Sequence, residues 1–173
     1  MEYNPVVLWH VSEEAGIERF DPRPSQFTDE PVVWAVHDLR LHNYLLPRDC
    51  PRVTFYAGDD TSAADIDRFL GRSHAVIAFE SVWLDRVRAM RLYCYHLPEP
   101  EFSCTDQCAG YHICHSSVEP AHVEIVHDLL AAIASRGVEI RIVPTLWPLR
   151  DAVVSSTLKY SVIRIRNAQP RCV

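Results

Sequence analysis

Imidazole and carboxylate chemistry is abundant in this chain, with nine histidines and 23 acidic residues, whereas only five glycines are available to build phosphate-cradling loops. The histidine whose setting is most unusual is His10, in Val6-Val7-Leu8-Trp9-His10-Val11-Ser12. Strand alternation puts Val6, Leu8, His10 and Ser12 on one face and Val7, Trp9 and Val11 on the other. Both faces are apolar, so a central, buried strand is expected. An imidazole buried there loses roughly 1–3 kcal/mol unless it finds a hydrogen-bond partner. His10 is therefore either a core residue satisfied by Ser12 or a carbonyl, or a site residue where a strand runs out into a loop.

Further candidates are the aromatic faces of Trp34, Tyr44 and Tyr111 and an acid supplied by Glu80 or Glu119. Combined with His10, they suit a ligand with a flat ring and hydroxyls. The aromatic stacks, the imidazole binds a ribose hydroxyl, and the carboxylate stabilises positive charge developing at a sugar carbon. At these spacings Trp34 and Tyr44 equally fit an ordinary core. Arg48 has the fork geometry of an anion clamp, with pairing to Asp49 or Asp38 as the plainer role.

Cys104, Cys108, Cys114 and His115 fall within twelve residues and are ligand types that zinc accepts. Their spacing is not that of a CxxC knuckle, and alternation directs Cys114 and His115 to opposite faces, so no metal is expected. There is no GxSxG elbow, GxGxxG fingerprint or Walker loop, which removes serine-hydrolase, Rossmann and P-loop chemistry.

The elements that must position these residues follow from pattern. Strands are expected at 6–12, 32–36, 53–57, 74–80, 91–97, 110–115, 122–126 and 138–143. Ser12 caps a turn at Glu13-Glu14. Phe20-Asp21-Pro22-Arg23-Pro24 cannot be helical, so 21–31 is a loop able to close over His10. A short amphipathic helix from 37 to 46 ends at Pro47. Helices are expected over 63–70, closed by Gly71, over 83–90, over 127–136, closed by Gly137, and over 146–158, with Pro148 in its first turn. Residues 98–109 read as a polar loop, and 161–168 as one or two further helical turns.

At 173 residues, with 48% hydrophobic and 23% charged composition, the chain fits one compact domain, 1–173. The fold class expected is α+β, with a mixed, largely antiparallel sheet, two packed sheets being one form of it, and peripheral helices. No run is long enough to span a membrane, and Met1-Glu2-Tyr3-Asn4-Pro5 lacks the start of a signal peptide. The expectation is a soluble cytoplasmic protein with its six cysteines reduced. A net charge of −6 argues against nucleic acid as the main partner. A small-molecule ligand is expected instead, with the oligomeric state left open.

Leu8-Trp9-His10-Val11-Ser12-Glu13, Val33-Trp34-Ala35, Pro47-Arg48-Asp49-Cys50-Pro51-Arg52-Val53 and Leu146-Trp147-Pro148-Leu149-x-Asp151-Ala152-Val153 resemble an uncharacterised single-domain family of bacteria and fungi. More loosely, the Trp9-His10 strand followed by a strand and a helix bearing aromatics resembles the ADP-ribosyltransferase superfamily. That resemblance implies an ADP-ribosyltransferase-like fold and NAD as substrate, with cleavage of the nicotinamide–ribose bond. His10 would hold the ribose, Tyr44 or Trp34 would stack on nicotinamide, and Glu119 would be the acid. Read from residue type alone, Ser12, Arg48 and Tyr111 are added to the cofactor site and Glu80 as a further acid. The sequence departs from the pattern at Ser116-Ser117, where the acid is expected at the strand end. Two other functions suit the same residues: a small-molecule tailoring enzyme, a cyclase or isomerase, using His10 as acid and base, and a non-catalytic nucleotide-binding module.

Overall fold

The computed structural model describes residues 6–171. The start at residues 1–5 and Cys172 lie outside the described residues. In chain order the strands are β1 (Leu8–Ser12), β2 (Val33–His37), β3 (Arg52–Tyr56), β4 (Ala75–Glu80), β5 (Leu92–Leu97), β6 (Ser103–Asp106), β7 (Tyr111–Cys114), β8 (His122–Val126), β9 (Glu139–Val143) and β10 (Lys159–Ile163). The α-helical pieces are α1 (Ala63–Asp65), α2 (Leu84–Ala89), α3 (Leu129–Ser135) and α4 (Trp147–Val154). The fold class is α+β, with two sheets that are mostly antiparallel.

The chain divides into two compact units, one formed by Met1–Tyr44 and Arg91–His127, the other by Leu45–Met90 and Asp128–Val173. Each is built from two separated segments, so neither is a contiguous piece of sequence.

The first unit is a six-stranded antiparallel sheet in the order β6-β7-β2-β1-β5-β8. As the apolar pattern of both its faces requires, β1 is central, flanked by β2 and β5. Leu8, Val33, Ala35, Tyr95, Leu97 and Cys114 pack on one face with Phe20 and Val118 from the connecting loops. Each large apolar side chain so buried contributes roughly 1.5–3 kcal/mol. The Tyr95 hydroxyl donates to the Glu14 carbonyl at 2.8 Å and accepts from the Ile17 amide at 3.1 Å, which pins the turn after β1.

The second unit is a four-stranded sheet in the order β10-β3-β4-β9, antiparallel except for the β4–β9 pair. Its central strand, Ala-Val-Ile-Ala-Phe-Glu, is buried at every position, as a near-continuous apolar run predicts for a strand covered on both faces. Val53, Phe55, Phe69, Val76, Ala78, Leu146 and Val153 share one core cluster. Asp128 caps α3 by accepting from the Ala131 amide at 2.9 Å. Gly137 follows α3 at φ +71°, and a Cβ there would come within 2.7 Å of the His74 ring.

Three expectations are corrected. The 98–109 stretch is not all loop: Ser103–Asp106 pairs with β7 as a fully exposed edge strand, which polarity on both faces had concealed. The expected tail helix is β10 followed by a 3-10 turn at Ile165–Asn167. α4 stops at Val154 because the Ser155 and Ser156 hydroxyls bond back to the carbonyls of Asp151 and Val153, which competes with helix continuation. The short helix expected after β2 is present as a 3-10 helix, Asp38–Tyr44.

Candidate functional site

His10 lies half-buried on β1, and its Nδ1 is 2.9 Å from the Trp34 carbonyl oxygen. A carbonyl only accepts, so Nδ1 carries the hydrogen and Nε2 is left as the basic nitrogen. The partner foreseen for a buried His10 is thus a main-chain carbonyl; Ser12 instead accepts from the Glu14 amide at 3.0 Å. The His10 ring packs on Phe20 with centroids 4.5 Å apart.

Phe20 joins this imidazole to a second group of residues. Its amide donates to the Val118 carbonyl at 2.8 Å, and the Val118 amide donates to the Phe20 carbonyl at 2.9 Å. This two-residue bridge sets Arg19 and Asp21 opposite Ser117 and Glu119. Arg19 donates from Nε to Asp21 Oδ1 at 2.8 Å and from a terminal nitrogen to Ser117 Oγ at 2.9 Å. The Ser117 hydroxyl closes the triangle by donating to Asp21 at 2.6 Å. Hydrogen bonds from Ser117 and then Arg19 hold the Asp21 carboxyl below its ordinary range. Arg19, Glu101, Ser117 and Glu119 line an open pocket of about 360 Å³.

The aromatic candidates are not brought together with His10. β1 pairs Leu8 with His37 and Trp9 with Val36, so Leu8 and His10 share a face with Val33 and Ala35, while Trp34 points to the other side. There Trp34 and Tyr111 lie edge to face at 5.7 Å, and the Tyr44 hydroxyl donates to that of Tyr111 at 2.6 Å. The aromatic ring beside His10 is Phe20. Glu80 belongs to the second unit, is fully buried, and accepts from the backbone amides of Leu146 at 3.0 Å and Gln169 at 2.9 Å. Those bonds occupy both its oxygens, which makes it a structural acid. Arg48 is exposed, also in the second unit.

The sequence reading missed Arg19, Phe20, Asp21 and Glu101. Residues i and i+2 of an extended segment project to the same side, so Arg19 and Asp21 beside a double-proline stop were a readable signal. Nothing marked Glu101. Of the cysteines, Cys114 is buried and Cys104 and Cys108 are exposed; among the described residues no group of three or more His, Cys, Asp or Glu is placed to hold a metal ion. Nor is any helix among them long and apolar enough to cross a membrane.

Fold and site together define an α+β protein with a polar pocket in the unit built on its six-stranded antiparallel sheet. Residues 9–168 match the Family of unknown function (DUF6886), and the chain belongs to that family. Comparison with curated proteins and with solved structures gives no match.

Proposed function

We propose that the chain is an NAD-using, ADP-ribosyltransferase-like enzyme that cleaves the nicotinamide–ribose bond in the pocket carrying Glu119. The observation that supports this reading best is the Phe20–Val118 bridge, which links a half-buried imidazole to a pocket holding two carboxylates and an arginine. Glu119 stabilises the positive charge that develops on the ribose as the bond lengthens, and Glu101 adds to the negative field that favours the nicotinamide cation. His10 orients ribose hydroxyls. Phe20, rather than Trp34 or Tyr44, is the ring placed beside that imidazole. Arg19 is held in place by Asp21 and Ser117, which lowers the cost of ordering it around a ligand.

The test is incubation of the full chain with millimolar NAD while nicotinamide release and thermal stability are followed. Binding at a hundredfold excess over Kd stabilises the fold by about 2.7 kcal/mol. Release that falls in Glu119→Gln and His10→Ala supports the proposal. A thermal shift without release leaves a nucleotide-binding module, and neither shift nor release sinks both readings.

One observation favours a second reading. With Nδ1 tied to the Trp34 carbonyl, the basic Nε2 of His10 has the tautomer of a proton shuttle. A small-molecule isomerase or cyclase built on it loses turnover in His10→Ala with no dependence on NAD.

A further inference from the structure

The two edges of the six-stranded sheet are protected very differently. At one edge, the register between β6 and β7 shifts between Cys104 and Asp106, and the strand residues Ser, Cys, Thr and Asp are short and mostly polar. A bulge and polar side chains are ways by which natural sheets discourage pairing with another chain. At the other edge, β8 pairs with β5 in unbroken register from His122 to Val126 and, among the described residues, has no strand on its outer side. It holds no proline, lysine or bulge. Val123 and Ile125 project from one of its faces, 45% and 49% exposed, although β-branched apolar residues on an open edge are what pairing partners use.

We propose that β8 is a self-association edge, where two copies of this chain pair β8 with β8 antiparallel about a twofold axis through Val123, joining their six-stranded sheets into one. Side-chain complementarity selects this register. With Val123 opposite Val123 of the second copy, His122 falls opposite Glu124 and Glu124 opposite His122, each pair on a common face. A twofold centred on Glu124 would instead set carboxylate against carboxylate. In the single chain His122 lies 3.7 Å from its own Glu124, an exposed contact that costs little to exchange. The His122 ring is meanwhile kept in place by stacking on His96 at 4.8 Å. Ile125 meets Ala121 of the second copy, where the small side chain leaves room for it. A strand of five residues gives a modest interface, so the association is reversible and depends on concentration.

The experiment is analytical ultracentrifugation of the full chain from about 1 to about 500 µM, with a reductant present because Cys104 and Cys108 are exposed. The expected result is a monomer–dimer equilibrium. Val123→Lys, which opposes two ammonium groups on the axis, gives monomer with an unchanged circular dichroism spectrum. Glu124→Lys weakens the dimer by about tenfold or more, and adding His122→Glu restores it. A chain that stays monomeric throughout overturns the proposal, and so does a dimer that Val123→Lys leaves intact, since it would be built on another surface.

Discussion

Arg52 and Glu80 of the second unit and the candidate-site residues of the first put polar side chains to different uses. In the second, two buried charged side chains are held by main chain: Arg52, 2% exposed, donates to the carbonyls of Pro47 and Cys50, and Glu80, 0% exposed, accepts from two amides. Both tie loops to the ends of strands. In the first, His42, Asn43 and His112 are buried as well, but the residues of the candidate site are half-buried or exposed. His10 has one nitrogen fixed to a carbonyl, and Arg19, Asp21 and Ser117 bind one another at the rim of a pocket. Burial alone therefore does not mark chemistry. A polar group satisfied by backbone and sealed from solvent is architecture, whereas side chains that orient one another at the rim of an open pocket are available to a ligand.

The comparison breaks most visibly if Glu80 proves dispensable. Glu80→Leu leaves the buried Leu146 amide and the partly buried Gln169 amide without their acceptor and is expected to cost at least about 1–3 kcal/mol, read by urea denaturation. Glu119→Gln tests the other side. It should leave the urea midpoint unchanged while lowering nicotinamide release by about a hundredfold, equivalent to about 2.7 kcal/mol of transition-state stabilisation. If stability fell and turnover did not, the assignment of roles would be reversed.

Histidines of the first unit give a pH dependence of smaller size. Burial, with a neighbouring imidazole, depresses His96 and His37 below their ordinary 6.5. The unfolded chain then binds more protons than the folded one below that value. Their contribution is fully present above pH 6.5 and is lost as pH falls through the depressed folded values. Urea midpoints measured from pH 7.5 down to about 5 should decline, and His96→Gln should make the decline shallower. The smallest effect belongs to the second unit. Thr54 is 2% exposed, and its hydroxyl has no hydrogen-bond partner among the described residues. Thr54→Val should raise stability by up to about 1 kcal/mol, since it removes an unsatisfied buried group at nearly constant shape.

Local patterning made much of this organisation readable. The apolar run of β1 announced a central strand and that of β4 a strand, and Gly71, which closes the π-helical turn Ile66–Leu70 after α1, and Gly137 announced helix ends, because those features depend on neighbours in sequence. The site was readable only in pieces. His10 and Glu119 stood out by residue type, but their relation depends on a bridge between Phe20 and Val118, 98 positions apart, that no periodicity encodes. Alternation did contain the reason why Trp34 parts from His10, yet the face each residue takes is fixed only by the β1–β2 register. β6 escaped because an exposed edge strand carries no apolar stripe, and β10 because 161–168 reads as helical turns in the sequence, although only Ile165–Asn167 is a 3-10 turn.

Cys50 has a practical consequence. Burial pushes its thiol up to about 12, so a thiolate-seeking alkylating reagent at neutral pH finds it unreactive while the second unit is closed. Opening of that unit returns the sulfur to ordinary reactivity. The rate at which Cys50 becomes labelled, followed by peptide mass spectrometry beside the exposed Cys104 and Cys108, is thus a native clock for how often the four-stranded core comes apart.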